Sequence, residues 1–277
     1  GVMDIGQAKT RFFKRDSTKA DHLTLHPHKV DEFWTWVSSW AVFVTRPSDV
    51  DPAYSDEGYV LPPLEVHWHE LPTNHAKAGE ERSGQQRLLR EATIGVQDAA
   101  REKRDSLSAR IEKLMELRAL DPEAHRVLWH DLEDERRAIE AAIPTVESVW
   151  GAQDDDAKEA AILSFANGDI QELAGKPVML GAGVNFQRHC HWAIYLGIGF
   201  KFNDWIQSVH RLQRFLQTHP VRIDLIYTEA EREVRRTLER KWSQHNELVA
   251  QMTGIVRKYG LARSAPDRGP QRSLTVN

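Results

Sequence analysis

Cysteine is almost absent from this chain. Cys190 is the single one in 277 residues, which excludes an internal disulfide framework and fits a reducing compartment. Long apolar runs are missing too. The longest, Trp192 to Phe200, is far short of the ~18 residues a membrane span needs. Gly1 to Asp16 is already broken by Asp4, Lys9, Arg11, Lys14 and Arg15, so no apolar signal segment is read there. The expectation is a cytoplasmic protein with no membrane partner. Two further absences concern phosphate chemistry. A Gly-rich loop ending in Gly-Lys-[Ser/Thr] cradles phosphates, and an acidic pair after an apolar strand holds Mg²⁺. Gly1 to Thr10 has glycines at the right separation but Gln7 where lysine is required, and Gly175-Lys176 runs into Pro177. Asp31-Glu32 follows Lys29-Val30, and Asp56-Glu57 lies in a Tyr/Ser/Gly loop. The chain by itself is therefore not expected to hydrolyse a nucleotide.

What is present suffices for a sizeable core. Hydrophobic residues make up 40% and charged residues 28%, a balance of folded rather than disordered chains. The net charge of -4 hides an asymmetry: Lys201 to Asn277 carries 14 basic against 8 acidic residues, leaving the first 200 residues strongly acidic. A locally basic end suits a polyanion partner, and equally a solvated charged face. Thirteen histidines include the groups His22, His26 and His28; His67 and His69; and His189 and His191 around Cys190. Zinc sites use close ligand pairs, but neither Cys-x-x-Cys nor His-Glu-x-x-His occurs, so these read as structural and no metal site is assigned. Cys190 reads as a buried inert thiol. Trp34, Trp36, Trp40, Trp192 and Trp205 read as core rather than as base-stacking platforms.

Three textures follow one another. Residues 1 to about 75 are rich in aromatics, histidine and proline, and Leu64 to Trp68 alternates like a strand after Pro62-Pro63. From Ala78 to Leu120 the chain is charged and helix-prone, with Leu107, Ile111, Leu114 and Leu117 on one helical stripe that Asp121-Pro122 ends. Beyond this, strands at Val127–Trp129, Val146–Trp150, Pro177–Leu180, Trp192–Leu196 and Val221–Tyr227 alternate with helices at Asp134–Ile143, Asp155–Phe165 and Trp205–Phe215. A last helix runs from after Tyr227 through Trp242, ahead of a Ser/Pro/Arg-rich end. That alternation predicts an α/β fold with a parallel sheet covered on both faces.

Two segments carry the chemistry. Gln207 to Gln217 places Arg211 and Arg214 three apart, on one face of the helix assigned to Trp205–Phe215. Paired guanidiniums suit a phosphate chain, where planar, permanently charged donors stabilise developing charge. An ordinary solvated basic helix is the bland alternative. Val178 to Gln187 runs an expected strand into Gly181 and Gly183, then Asn185. Glycines at a strand's carboxyl end permit close backbone approach to a ligand, and also mark plain turns.

In order and spacing, these segments resemble the second RecA-like lobe of superfamily 2 helicases, nearest the Swi/Snf-like translocases. Their last motif, Q-x-x-x-R-x-x-R-x-x-Q, is matched by Gln207, Arg211, Arg214 and Gln217, and G-x-G-x-N-[LF] by Gly181, Gly183, Asn185 and Phe186. Arg126 to His130 resembles the lobe-opening strand. Val149-Trp150-Gly151 with Ile162 to Phe165 and Gly168 looks like a further element of the lobe, and Val221 to Ile226 like its closing strand. Phe12 to Arg15 and Leu61 to Glu65 look like lobe-bridging features. Lys176, Pro177, Leu180 and Phe202 depart from the pattern.

The resemblance implies an N-terminal irregular segment at 1–75 (a first-lobe remnant with lobe-bridging features), a helical arm at 76–104, the RecA-like lobe at 105–242, and a helix with basic tail at 243–277. It implies Arg214 reaching the γ-phosphate of ATP, Arg211 beside it, and Gln207, Gly183 and Asn185 near the nucleotide or its coupling network. Lys176 and Gly181 fall where nucleic acid is met. ATP with Mg²⁺ would be bound mainly by a first RecA-like lobe absent from this chain. DNA is the implied polymer, and in some such helicases a DNA methyltransferase domain lies downstream. The competing reading is a catalytically inert protein-interaction or nucleic-acid-binding module that keeps the fold and docks through the helical arm at 84–120.

Overall fold

The structure is a computed structural model that describes residues 3–15, 23–41, 44–73, 96–180, 184–197, 199 and 201–259, the side chains of 96–100 and 259 excepted. Two compact units emerge, residues 1–57 with 243–277, and Gly58–Trp242.

The smaller unit opens with α1 (Ile5–Phe12), whose first turn is closed by reciprocal hydrogen bonds between Asp4 and Gln7, a capping box. A two-stranded antiparallel ribbon follows, β1 (Phe13–Arg15) with β2 (Leu23–Leu25), and then α2 (Val30–Ser38). Phe12 stacks on Trp36 with ring centroids 5.4 Å apart, and Phe33 meets both edgewise or tilted. The aromatic wealth of the first segment therefore makes a small core of its own, although Trp40, expected inside, is 54% exposed. Asp49 is buried and accepts hydrogen bonds from Thr45, the Arg46 amide and Arg257. Every oxygen of that carboxylate has a donor, as burial of a charge requires.

The larger unit holds one six-stranded sheet in the order β3-β8-β7-β4-β6-β5, parallel at every pairing. Its elements are β3 (Leu64–Leu71), α3 (Val96–Asp105), α4 (Leu107–Arg118), β4 (Arg126–Trp129), α5 (Glu133–Ala142), β5 (Glu147–Val149), α6 (Asp155–Asn167), β6 (Glu172–Gly175), β7 (Trp192–Tyr195), α7 (Phe202–Val209), β8 (Val221–Thr228) and, as far as Trp242, the long α8 (Arg232–Tyr259), whose residues from Ser243 on belong to the smaller unit. The α/β class read from the alternation is the one the chain adopts. The central strands β4, β6 and β7 are buried at every residue, as doubly covered parallel strands must be. β3 alternates because it is an edge: Leu64, Val66 and Trp68 pack inward, while Glu65 and His67 face out. This compact unit begins at Gly58 and so includes β3, which the sequence reading sets within the first segment.

Each sheet face has its own core. One packs Val127, Trp129, Leu173, Tyr195, Ile223 and Leu225 against Phe165 of α6, Trp205 and Val209 of α7, and Leu238 of α8. The other packs Leu128, Ile194 and Ile226 against Leu114 and Leu117 of α4 and Ile139 of α5. The stripe read on the arm is thus consumed by the chain's own sheet. Gly168 closes α6 at φ 89°, the left-handed backbone for which glycine carries no penalty.

Two sequence assignments are corrected. The strand expected at Pro177–Leu180 is a turn, and the strand is β6 at Glu172–Gly175. A strand that opens on a charge does not read as buried; here Glu172 is paired with both Arg118 and Arg126. The helix expected over Trp205–Phe215 ends at Val209. Its continuation is lost because Gln213 Nε2 donates to Pro62 O and Gln217 Nε2 to Cys190 O and Leu212 O, drawing the chain into a turn tied to the sheet.

The most buried ion pair is Arg110–Glu231, both side chains fully enclosed and 2.6 Å apart. Arg110 Nη1 also donates to Leu196 O and Ile226 O, so one side chain of α4 closes the carboxyl ends of β7 and β8. Removing one member of such a pair strands a buried charge, at a cost of about 3–5 kcal/mol, whereas apolar replacement of both is far milder. Arg110→Met is therefore expected to lower stability by about that much in urea titrations, and Arg110→Met with Glu231→Leu to recover most of it.

Candidate phosphate-binding turn

The chain between α7 and β8 carries Arg211 and Arg214. It precedes β8 and lies at the amino edge of the parallel sheet, beside the segments that lead into β3 and β7. Leu216 N donates to Gly58 O (3.0 Å), Gln187 Nε2 to Phe215 O (3.2 Å), and Gln217 Nε2 to Cys190 O (3.2 Å). Gln217 is used completely, since its Oε1 also accepts from the Thr218 and His219 amides. The last glutamine of the arginine motif is therefore a structural staple. It fixes the turn and leaves no atom for a ligand.

Both arginines are half-buried. Arg211 has Nη1 3.5 Å from Val184 O, at the limit of a hydrogen bond, and its Nε is buried with no partner. Among the described residues no carboxylate lies within ion-pair distance of either guanidinium. Burial and then the neighbouring Arg214 charge press the Arg211 pKa below its ordinary value, although a guanidinium stays charged at any physiological pH. Two like charges held together, half out of water, without an acid, form a site that an outside anion would relieve. The adjoining Gln187 Oε1 is also buried without a partner.

The other expected site residues divide. Val184 meets Arg211, and Asn185 next to it is exposed while Phe186 is core. Gln207 is exposed on α7. Gly181 and Gly183 lie outside the described residues. Lys176 follows β6 at the opposite, carboxyl edge, where its charge acts on His130, so it does not join the arginines. One expectation is corrected here: the arginines sit on a turn rather than on a helix face. They also lie at the amino edge, whereas sites of open α/β sheets usually form at the carboxyl edge.

The carboxyl edge is filled by the chain itself. Besides Arg110, Lys103 Nζ lies 2.5 Å from Asp131 Oδ2. A side chain on Gly197 would meet Lys103 Cε at 2.9 Å and Glu135 Oε1 at 3.0 Å. Glu135 caps α5 from its first turn, accepting from the Asp131 and Leu132 amides. His130 closes this edge; it is 2% exposed, neither ring nitrogen reaches a partner at full hydrogen-bond geometry, and burial followed by the Lys176 charge pushes its pKa down to about 4. Sequence reading takes His130 only as the end of a strand. Cys190 is fully buried and its thiol is pushed up to about 12 by burial, which makes it inert.

No protein-family model and no curated protein sequence matches the chain. Among solved structures it is similar to the C-terminal part of the Fun30 ATPase domain (TM-score 0.42, 17% identity, covering 48% of this chain and 45% of that one). It is also similar to a DEAD box protein from the hyperthermophile Methanococcus jannaschii (0.46, 13%, 64% and 39%) and to the C-terminal domain of the DEAD-box protein Dbp5 (0.46, 11%, 70% and 97%). The chain spans less than half the length of the first two. At such scores and identities these likenesses carry no functional weight, which falls instead on the geometry of the arginine turn.

Buried His130 and half-buried His125 and His191 set a pH dependence. His125 and His191, like His130, have pKa values lowered chiefly by burial. A group whose folded pKa lies below its unfolded value of about 6.5 binds more protons unfolded, so stability falls as pH drops below about 6.5. For His130 the loss continues to about pH 4. Carboxylates stay ionised between about pH 6.5 and 5, so the histidines own that interval. Denaturation midpoints are expected to fall over this range in wild type and to fall less steeply in His130→Leu; an unchanged slope in that variant removes His130 from the account.

Proposed function

We propose that this chain is the second, RecA-like lobe of an ATP-dependent helicase or translocase of the Swi/Snf-like kind, acting on DNA. The observation that carries the reading is the pair Arg211 and Arg214, half-buried and free of any carboxylate among the described residues while standing in the register of an arginine motif. In this reading Arg214 reaches the terminal phosphate of ATP held by a first lobe, and Arg211 holds the same phosphate chain beside it. The chain's residues fit the phosphates of such a ligand: two guanidiniums, held by a turn fixed at two backbone groups and by the Gln217 side chain. They do not supply a metal ligand, because no carboxylate accompanies them, so Mg²⁺ belongs with the first lobe. The nucleotide supplies the phosphoanhydride; this chain's part is to stabilise charge on its oxygens from a fixed position, which needs no reorganisation. Gln207, Asn185 and Gly183 are assigned to coupling between lobes. Lys176 and Gly181 are assigned to the nucleic-acid backbone, Lys176 as a point charge rather than a bidentate donor. A downstream methyltransferase domain remains a further element of the proposal, suggested by the resemblance alone.

The docking-module reading is weaker. It needs the arm's apolar stripe as a free face, and Leu114 and Leu117 are already buried in the sheet's own core.

An arginine that reaches a transferring phosphate is worth on the order of 10³ or more in rate. In the ATPase that joins this chain to a lobe bearing a phosphate loop, Arg214→Ala is expected to lower kcat by about that factor with the circular dichroism unchanged. A loss under tenfold removes Arg214 from the chemistry. DNA binding by the chain alone is expected to be weak and to fall steeply with salt.

A further inference from the structure

Two histidines that lead into β7 and β8 meet at the amino edge. His191 immediately precedes β7, and His219 stands two residues ahead of β8. Those strands are parallel neighbours with Trp192 opposite Arg222, so the residues entering them lie side by side although far apart in the chain. Their imidazole rings stack, with centroids 5.0 Å apart and planes 20° apart. His191 is fixed to the sheet, since its carbonyl accepts from the Arg222 amide at 2.8 Å. His219 is fixed by its own segment: its amide donates to Gln217 Oε1 at 3.0 Å, and Thr218 Oγ1 lies 3.2 Å from its Nδ1. Pro220 follows, and a residue before proline favours extended backbone.

The stack adjoins the bond that staples the arginine turn. Gln217 Nε2 donates to Cys190 O, one residue before His191, and to Leu212 O. The same two segments are thus joined twice, once by an amide and once by a pair of rings. The turn they hold is not relaxed. Leu216 sits at φ 69°, the one positive-φ residue other than glycine among the described residues, in a backbone region that a leucine resists. Strain of this kind persists only while the surroundings over-determine it.

The rings tolerate one charge between them but not two. Imidazole titrates near pH 6.5, and two imidazoliums at this separation repel. The groups around the pair do not cancel that repulsion. Asp121 is the acid that acts on His191, and it is exposed. Arg126 and Arg222 are already paired, with Glu172 and Asp224. His125 and His189, with ring centroids 6.3 Å apart, add positive charge from the β4 side when protonated. Burial, then the His219 charge, lowers the His191 pKa, so the stacked state favours neutral rings.

We propose that the His191–His219 stack is an acid-released latch on the turn that carries Arg211 and Arg214. At neutral pH the rings hold the segment ahead of β8 against the segment ahead of β7. When both take up a proton, the exposed His219 ring leaves, the amide it presents to Gln217 moves with it, and the turn opens. The latch acts on the backbone of the turn and does not depend on which anion the arginines meet. Its consequence is that both guanidiniums lose their fixed position in acid.

Amide hydrogen exchange of the chain itself tests this, with protection corrected for the intrinsic pH dependence of exchange. The reporters are Leu216 and Gln217, whose amides donate to Gly58 O and Arg214 O. Between about pH 7.5 and about pH 5 their protection is expected to fall about tenfold, a modest share of the repulsion between two such charges once solvent and salt screen it. Leu128, buried in β4, reports global opening and should lose less. His219 is exposed, so its variants leave the core untouched. His219→Phe keeps a ring that cannot titrate and should keep the turn protected at both pH values, whereas His219→Ala should lose protection at both. A wild-type turn equally protected at both pH values, an equal fall in His219→Phe, or an equal fall at Leu128 overturns the latch. So does wild-type protection in His219→Ala at neutral pH, since the stack then holds nothing.

Discussion

The buried Arg110–Glu231 pair decides where this protein can hold a ligand. In a parallel sheet the carboxyl ends of the strands expose carbonyls and leave a crevice where neighbouring connections diverge. Here β4 and β7 are adjacent, β4 leads into α5 on one face and β7 into α7 on the other, so the crevice falls between their carboxyl ends. Arg110 closes its β7 side, bonding Leu196 O after β7 and Ile226 O of the next strand, β8, while Lys103 reaches Asp131, which follows β4. An enclosed guanidinium must be hydrogen-bonded to be tolerated, and every nitrogen of Arg110 donates, to two carbonyls, Ser106 and Glu231. The helical arm is thereby clamped to the sheet by polar contacts that cannot slide, and its apolar stripe is buried as a consequence.

With that edge filled, the free chemistry moves to the amino edge. Parallel strands need crossovers that return to this edge, so it gathers the segments leading into β3, β7 and β8. They are joined by side-chain amides to backbone carbonyls: Gln213 to Pro62, Gln187 to Phe215, Gln217 to Cys190. Amides suit this task because each offers both donor and acceptor without a charge to desolvate. The result is a turn as fixed as an element of regular structure, which electrostatic preorganisation requires.

Much of the fold was legible because its signals are local. Val127 to Trp129, Trp192 to Leu196 and Val221 to Tyr227 are apolar runs of strand length, and Asp121-Pro122 is a breaker whose chemistry does not depend on context. Glu172 hid β6, since a buried carboxylate reads as surface until Arg118 and Arg126 are seen beside it. The end of α7 hid for the same reason: a helix pattern persists through Phe215, and only the distant acceptors Pro62 and Cys190 show why the helix stops. The site was legible as residue types, Arg211 with Arg214, but not as a place. Spacing of three suggests a shared helix face, whereas their surroundings were set by tertiary hydrogen bonds that no periodicity records.

A contrast within the same molecule sets those two arginines apart. Among the described residues, wherever else an arginine is drawn toward the interior, an acid goes with it: Arg46 has Asp56, Arg110 has Glu231, Arg118 and Arg126 share Glu172, Arg136 has Glu133 and Glu140, Arg222 has Asp224, and Arg235 has Glu239. The chain has 41 acidic residues, so supply does not explain the exception. A fold selected for stability alone would place one of them against Arg211, whose Nε is enclosed with nothing to bond. Leaving that nitrogen unmatched lowers stability, and an anion delivered from outside both restores it and gains the full Coulombic attraction of two guanidiniums in a partly water-excluded place.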